Sequence, residues 1–254
     1  MMPRDRLRKA WYRVMTCRVP RWRRTPDEIA AAGFMSQDGQ DQFVFERLGG
    51  KRGGVFLEVG AFDGVTFSNT CALERRFGWT GIAVEPSPTA CSLLRSNRSC
   101  IVINACIAAS PGIVRYLHIE GAAAMLSGIV SHYDARHLGR IEREIQAVGG
   151  EGRELDMPCH TIDGLARDND LSRIDYLSVD TEGGELEILE SVDFTRLDVN
   201  LITVENNYGD PRLRKVLGRS GFRLIAKIAR DEVYQHVRYL EQRRNRQACL
   251  EPGR

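Results

Sequence analysis

Acidic side chains stand at or directly after several short apolar segments of this sequence. They are Glu58, Glu85, Asp180, Glu182 and Glu205. Short apolar segments bounded by glycine or proline are typical of buried β-strands. Because ligands of parallel sheets bind beyond the carboxyl ends of the strands, the pattern predicts one carboxylate-rich site. Carboxylates in that position can accept hydrogen bonds, take up a proton or bind a hard cation.

The loop after the first apolar segment indicates what such a site would bind. It reads GAFDG from residue 60 to residue 64. Its two glycines allow backbone N–H groups to approach a ligand closely, and Glu85, roughly 20 residues downstream or slightly more, is placed to accept hydrogen bonds from ribose hydroxyls. A dinucleotide site instead has the pattern G-x-G-x-x-G, and Asp63 would put a carboxylate where the pyrophosphate charge lies. The loop therefore argues against NAD and favours the cationic ammonium and sulfonium groups of S-adenosylmethionine.

Strand-like and helix-like segments alternate along the chain and would position these residues. The strand-like segments are 55–60, 81–86, 100–108, 174–180 and 201–205, with an extra strand at 114–120 and a short one at 156–162. Amphipathic segments between them, such as 133–150, predict helices. The segments 222–229 and 231–237 are close enough to pair antiparallel. The sequence therefore predicts an α/β fold with a doubly wound, mainly parallel sheet that ends in an antiparallel hairpin.

An ordered series of motifs carries a resemblance to a known family. The motifs are SQDGQDQFVFERLGGKRGGVFLEVGAFDGVTFSNT at 36–70, AVEPSP at 83–88, TIDGL at 161–165, IDYLSVDTEGGELEIL at 174–189 and ITVEN at 202–206. In this order and spacing they resemble the FkbM-type methyltransferases, a family of class I S-adenosylmethionine-dependent enzymes. The resemblance spans roughly residues 36–237. It implies a Rossmann-like sheet of seven strands.

The resemblance also implies where the cofactor would bind. Glu58, Gly60, Ala61 and Gly64 would lie along its methionine and ribose side, Glu85 and Pro86 beside the ribose diol, and Asp63 and Asn69 would supply nearby polar atoms. The segment 104–108 has no obvious acid for the adenine amine. We therefore expect backbone groups and apolar packing to hold the adenine.

Activation of the methyl acceptor has two interpretations. Asp180, Glu205 and Asn206 resemble the acid, acid and amide that bind magnesium in metal-dependent O-methyltransferases, and three oxygen ligands suit a hard cation that also binds a diol. Alternatively, Asp180 and Glu182 act without metal, one accepting the substrate proton and the other orienting a hydroxyl. His132 is a further candidate base, in a segment rich in small residues that could form a mobile cover over the site.

The two ends of the chain differ from the methyltransferase-like domain between them, which we place at residues 36–240. Residues 1–35 form a basic leader: the first 24 residues carry nine Lys or Arg side chains against one acid, although the net charge of the whole chain is +2. The leader lacks the continuous apolar run of a signal peptide or membrane span. It is either a solvated tail or a basic, aromatic anchor on an anionic membrane face. Residues 241–254 form a polar tail.

Two further features bear on the cell compartment and on partners. The seven cysteines are an odd number without CxxC pairs, which predicts small buried side chains in a reducing, cytoplasmic compartment. The basic and aromatic pattern of the leader does not continue into the domain, so we expect no nucleic-acid partner.

Together these features predict an enzyme that uses S-adenosylmethionine to methylate a small-molecule or saccharide acceptor, on an oxygen of a sugar, a glycolipid or another natural product. Its expected location is cytoplasmic, with peripheral membrane contact if the leader is an anchor. Two alternatives stay open. One is a nucleotide-sugar or NAD-binding enzyme of similar topology, and the other is a member of the family that binds cofactor without turnover.

Overall fold

The computed structural model describes residues 19–133 and 135–250, with side chains described as far as residue 243. The first elements are β1 (Arg21–Trp22), α1 (Pro26–Ala31), α2 (Gln40–Arg47), β2 (Val55–Val59), α3 (Cys71–Phe77), β3 (Thr80–Val84), α4 (Pro88–Asn97), β4 (Ile101–Ile103), β5 (Cys106–Ile107), β6 (Gly112–Glu120) and β7 (Gly128–Ile129). They are followed by α5 (Ala135–Val148), β8 (Glu151–His160), α6 (Ile162–Asp168), β9 (Arg173–Val179), α7 (Glu185–Ser191), β10 (Asp198–Glu205), α8 (Pro211–Arg219), β11 (Phe222–Ile228), β12 (Asp231–His236) and α9 (Val237–Leu250). The α/β class expected from the sequence is confirmed.

The main sheet contains eight strands in the order β1-β11-β12-β10-β9-β2-β3-β4. The strand β12 runs antiparallel to its neighbours β10 and β11, and every other neighbouring pair is parallel. The carboxyl ends of β2, β3, β9 and β10 therefore lie together, and we call this side of the sheet the carboxyl edge. It is where the acidic residues singled out in the sequence converge.

Both faces of the main sheet are buried, as parallel strands require. In β2, Leu57 belongs to the apolar cluster on one face and Phe56 to the cluster on the other. Because side chains of a strand alternate between faces, Glu58 lies on the same face as Phe56. A shift of the β2 register by one residue would move each of its side chains to the opposite face of the sheet. The apolar pattern of β2 therefore also fixes the position of Glu58.

The eighth strand is one more than the family resemblance implies, and it comes from the predicted leader. Arg21 and Trp22 pair in parallel with Lys227 and Ile228 of β11. The Trp22 ring packs edge-to-face on Phe43, with ring centroids 5.2 Å apart. An aromatic side chain with an apolar partner, next to an open sheet edge, explains why this part of the leader joins the domain. The rest of the predicted anchor, residues 1–18, lies outside the described residues.

A second sheet of four strands, in the order β5-β8-β6-β7, stands beside the first. The segment 100–108 was expected to form one strand, but it is divided between β4 of the main sheet and β5 of the second sheet. Asn104 lies at the division, where its side-chain amide donates to the carbonyl oxygens of Glu85 at 2.8 Å and Pro86 at 3.0 Å. These bonds turn the chain away from the main sheet. At the other end of the molecule, α9 continues across the boundary at residue 240 into the predicted tail.

Candidate active site

A cavity of about 290 Å³ opens at the carboxyl edge between the two sheets. Many of the residues singled out in the sequence line it: Glu58, Gly60, Ala61, Asn69, Glu85, Pro86, Asp180, Glu182 and Glu205. The second sheet and the connections around it add Ala105, Ile107, Tyr116, Ser127 and Ile129 to the lining. The cavity therefore combines carboxylates from the strand ends with an apolar wall.

The other candidates lie outside this cavity. His132 and Asn206 line a neighbouring cavity of about 620 Å³, which shares Glu182 and Glu205 with the first. We call the two the first and second cavities. Asp63 and Gly64 line neither of them. These four residues therefore do not belong to the first cavity.

Gly60 makes the first cavity possible through a close approach between strand ends. Its φ is +84°, and a Cβ atom at this position would lie 1.8 Å from the carbonyl oxygen of Asp180. Next to it, the backbone N–H of Asp180 donates to the carbonyl oxygen of Val59 at 3.1 Å. A side chain at residue 60 would therefore separate the ends of β2 and β9 before it met any ligand.

Asp63 and Gly64 shape the loop and its packing. The Asp63 carboxylate accepts from the backbone N–H groups of Val65 at 2.9 Å and Thr66 at 2.7 Å, and from the Thr66 hydroxyl at 2.7 Å. These bonds lower the pKa of Asp63. A Cβ atom on Gly64 would lie 2.4 Å from Leu94, so this glycine allows α4 to pack on the loop. Asp63 thus lines neither cavity, but its charge still contributes to the raised pKa of Glu85, so the expected repulsion of a phosphate stays a prediction.

Glu58 lines the first cavity, but its carboxylate already accepts hydrogen bonds from other residues of the protein. The residue is only 2% exposed. It accepts hydrogen bonds from the backbone N–H of Asn69 at 2.8 Å, the Thr70 hydroxyl at 2.6 Å and the Ser68 hydroxyl at 3.1 Å. These bonds join β2 to the start of α3. Glu58 thus organises one wall of the cavity.

Arg98 balances the charge of Glu58, and sequence reasoning missed it. Its side chain is fully buried, with Nη1 3.4 Å from the Glu58 carboxylate and Nη2 2.7 Å from that of Glu74. It also donates to the Gly64 carbonyl oxygen at 3.2 Å and to the Thr70 hydroxyl at 2.8 Å. An arginine just after a helix looks like an ordinary C-terminal residue of α4. No signal in the sequence indicated that it spans the loop, β2 and α3.

Glu85 is a buried carboxylate that forms no ion pair within the described part of the chain. It accepts from the backbone N–H groups of Phe62 and Ser87, each at 2.8 Å. Burial raises its pKa to about 7, against the lowering effect of these two bonds. A carboxylate has about four acceptor positions, so two donors leave capacity for the hydroxyls of a bound diol.

Asn69 places an unsatisfied acceptor in the same cavity. The residue is 9% exposed, and its side-chain N–H donates to the Ser178 hydroxyl at 3.0 Å. Its Oδ1 is buried and has no partner within the described part of the chain. A buried polar atom without a partner is costly, and a ligand that donates a hydrogen bond would satisfy it. The ammonium group of a methionine moiety is such a donor.

Three acids stand where the two cavities meet. Burial and the charge of Glu205 raise the pKa of Asp180 well above its usual range. Burial and the charge of Glu182 likewise raise the pKa of Glu205, to about 8. Glu182 itself binds Arg140 at 2.8 Å. Of these three acids, Glu182 forms a salt bridge, whereas Asp180 and Glu205 have raised pKa values that favour their protonated forms.

The predicted magnesium set is not assembled. The Asn206 amide oxygen already accepts from the backbone N–H of Asp210 at 2.7 Å, which closes the turn before α8. Across residues 19–133 and 135–250, no group of three His, Cys, Asp or Glu side chains could hold a metal ion. The prediction that Asp180, Glu205 and Asn206 ligate magnesium finds no support here, because Asp180 lines the first cavity and not the second, whereas Asn206 lines the second and not the first.

His132 belongs to the second cavity and packs on a glycine turn. Its Nδ1 lies 3.3 Å from the carbonyl oxygen of Gly183. A Cβ atom on Gly184 would lie 2.1 Å from the same nitrogen, so the ring needs a glycine beneath it. The imidazole thus lines the second cavity together with Glu182 and does not line the first.

Comparison with known proteins decides the family of this chain. The family model of the FkbM methyltransferase domain matches residues 58–244. The chain belongs to the FkbM methyltransferase family. The match begins at Glu58 and includes the carboxyl edge, so the lining of the first cavity comes largely from this domain. A comparison with curated protein sequences found no match.

The comparison with solved structures found, among others, two methyltransferases. A TehB-like SAM-dependent methyltransferase from Corynebacterium glutamicum has 10% identity and a TM-score of 0.40, over 91% of this chain and 97% of that one. A precorrin-6y C5,15-methyltransferase from Geobacter metallireducens has 15% identity and a TM-score of 0.38, over 72% of this chain and 71% of that one. The assignment of this FkbM methyltransferase as an S-adenosylmethionine-dependent enzyme rests on the family model.

The buried position of Arg98 generates a stability prediction. Arg98→Met should lower the free energy of unfolding by about 3–5 kcal/mol, because Glu58 is left buried without its counter-charge. Urea unfolding measures this change. Arg95→Met, at an exposed site on the same helix, is the matched control and should change stability by no more than about 0.5 kcal/mol. Equal urea midpoints for Arg98→Met and Arg95→Met would show that the Arg98–Glu58 ion pair does not stabilise the loop.

The raised pKa of Glu85 generates a prediction for cofactor binding. Below pH about 7 the free carboxyl group is protonated, so the affinity for S-adenosylhomocysteine should fall by up to about tenfold per pH unit. Calorimetric titration between mildly acidic and mildly alkaline pH measures this slope. Glu85→Gln should weaken binding by about 1.5–3 kcal/mol and remove the slope near pH 7.

Glu190→Gln is the control for this titration, since Glu190 is exposed on α7 and lines neither cavity. It should keep the pH dependence of the unmodified protein. If Glu85→Gln keeps that dependence as well, Glu85 does not contact the ribose.

Proposed function

We propose that this FkbM methyltransferase transfers a methyl group from S-adenosylmethionine to a hydroxyl oxygen of a small, hydroxyl-rich acceptor, such as a sugar, a glycolipid or another natural product. The observation that supports this proposal is the meeting of two cavities at Glu182 and Glu205. The first cavity suits the cofactor, and the second supplies polar side chains for an acceptor. Asp180 stands beside their junction.

The residues of the first cavity fit S-adenosylmethionine. Glu85 would accept from the ribose diol, and the unpaired Oδ1 of Asn69 would accept from the ammonium group. Ala105, Ile107 and Ile129 offer an apolar wall for the adenine. When bound, the cofactor supplies an electrophilic methyl group on a positively charged sulfur. The excess of carboxylates over free cations suits that charge.

Asp180 is the proposed proton acceptor. Its carboxylate accepts no hydrogen bond from a side chain or N–H group among residues 19–133 and 135–250, whereas the Glu182 carboxylate is bound by Arg140. In the proposed reaction, the acceptor hydroxyl loses its proton to Asp180 as its oxygen bonds to the methyl group. The nearby Glu205 raises the proton affinity of Asp180, which makes it a stronger base. Glu182, held by Arg140, would orient the hydroxyl.

The second cavity supports a hydroxyl-rich acceptor. Asn207, Tyr208 and Arg212 line it together with His132. Tyr208 is largely exposed and lies under the guanidinium of Arg136, 4.2 Å from the ring centroid. Side chains of this kind donate and accept hydrogen bonds or stack on sugar rings. His132 would contact the acceptor rather than take its proton.

We also place the enzyme in a reducing, cytoplasmic compartment. The support is that Cys71, Cys91, Cys100, Cys106 and Cys159 are thiols. Burial raises the pKa of each of them, which keeps them protonated. No described helix is long and apolar enough to cross a membrane.

The role of Asp180 is tested by Asp180→Asn. Turnover with a panel of hydroxylated acceptors, followed as S-adenosylhomocysteine formation, should fall by about 10²–10⁴-fold because general-base catalysis is lost. Calorimetric binding of S-adenosylhomocysteine should persist. In the unmodified enzyme, kcat should rise with pH because the pKa of Asp180 is raised, and the variant should lose that rise. Unchanged turnover in Asp180→Asn would contradict the proposal, and absent turnover in the unmodified enzyme would support a non-catalytic member.

The separation of Asp180 and Asn206 generates a prediction about metals. Turnover should keep its rate after exhaustive treatment with a chelator, since these two members of the acid, acid and amide set line different cavities. The assay is repeated with magnesium added back. A loss on chelation that magnesium restores would contradict the proposed metal-free proton transfer.

A further inference from the structure

A groove lined by basic residues lies beside the first cavity. Its volume is about 530 Å³, and its lining includes Arg21, Arg23, Arg24 and Lys227. The strand β1 fixes this part of the chain to β11, so the arginines have a defined position on the protein. We call these three arginines, Arg21, Arg23 and Arg24, the basic strip.

The basic strip lies at the carboxyl edge. The strand β1 is parallel to β11, and β11 runs in the same direction as β10, because β12 is antiparallel to both. Arg23 and Arg24 follow the carboxyl end of β1. The groove and the first cavity are also lined by consecutive residues: Asp38 and Ala229 line the groove, while Gln37 and Arg230 line the cavity. The strip therefore borders the mouth of the active site.

The groove has an excess of positive charge, since four basic residues line it against the two acids Glu28 and Asp38. Lys227 is paired with Glu232 at 2.6 Å, but Arg21 and Arg23 have no ion pair within the described part of the chain. Arg24 lies over the Trp22 ring, 4.7 Å from its centroid. Upstream, the sequence adds Arg4, Arg6, Arg8, Lys9, Arg13 and Arg18 against Asp5. This positive charge favours binding of an anionic partner at the carboxyl edge.

Apolar side chains are exposed at the same mouth. Phe67 and Met125 line the first cavity and are 51% and 39% exposed. Phe67 has a φ of +57°, an unfavourable backbone conformation for an aromatic residue, and it forms an isolated bridge with Ser36 next to the cavity-lining Gln37. Exposed apolar residues next to basic residues are typical of protein surfaces that bind lipid headgroups.

A nucleic acid is less suited to this surface than a lipid. Binding of single strands uses open aromatic rings on which bases stack. The Trp22 ring is covered by Arg24 on one side and contacts Phe43 on another. Trp22, the aromatic residue between these arginines, is thus packed within the fold, whereas the three arginines of the basic strip are exposed.

We propose that the basic strip, with Phe67 and Met125, docks this protein on an anionic lipid surface with the mouth of the active site facing the bilayer. Basic residues near such a surface raise affinity by about fivefold each at moderate salt. Docking of this kind would bring the cavities to membrane-borne acceptors. That consequence rests on the proposed function, whereas the docking itself does not.

Vesicle sedimentation of the full chain tests the docking without cofactor or acceptor. The protein should bind vesicles that contain phosphatidylglycerol and phosphatidylcholine, should not bind vesicles of phosphatidylcholine alone, and should be released at high salt. The triple variant Arg21→Ser, Arg23→Ser, Arg24→Ser should bind on the order of 100-fold more weakly. Phe67→Ser should also weaken binding while the preference for anionic vesicles is kept.

The matched control removes the same charge from the opposite edge of the sheet. Lys215→Ser, Arg219→Ser, Arg223→Ser changes exposed residues of α8 and the start of β11 and should bind vesicles like the unmodified protein. Circular dichroism and urea unfolding show whether each variant keeps its fold. Equal losses in the two triple variants, or no binding to anionic vesicles, would overturn the proposal. Stronger binding to single-stranded RNA than to vesicles, lost in the strip variant, would also overturn it.

Discussion

The buried ion pair between Arg98 and Glu58 is the interaction on which the rest of the site depends. It joins the loop after β2, the start of α3 and the end of α4, and it gives the buried Glu58 carboxylate a counter-charge. Removing one partner of a buried ion pair is strongly destabilising, because the other charge is left uncompensated. Arg98 therefore decides both the shape of the cavity wall and which acids remain available to a ligand.

The remaining acids give the site its preference for a cation. Glu85, Asp180 and Glu205 have raised pKa values because they are buried close to like charges. A positively charged ligand lowers those pKa values and is stabilised in return, while a phosphate would raise them further. The acids that follow β3 and β9 and the last residue of β10 therefore add to Asp63 as reasons to expect that a dinucleotide is disfavoured.

The strand ends could be predicted from the sequence because the apolar segments and the acids after them are local patterns. Glu85, Asp180 and Glu205 were placed at one edge by the rule for parallel sheets alone. Arg98 could not be found in this way, since its partners lie 24 to 40 residues away and a helix-terminal arginine has an ordinary local role. The eighth strand depends on contacts of Trp22 with Phe43 and β11, and the division of 100–108 depends on the bonds of Asn104. Each of these is a tertiary contact that leaves no periodic trace in the sequence.

Calorimetric titration with S-adenosylmethionine in two buffers of different ionisation enthalpy tests the central claim most directly. If uncompensated carboxylates form the site, a cationic ligand shifts them toward ionisation, so binding near neutral pH should release protons, and NAD should give no binding heat. Binding of NAD, or binding of S-adenosylmethionine with no proton release, would contradict the account.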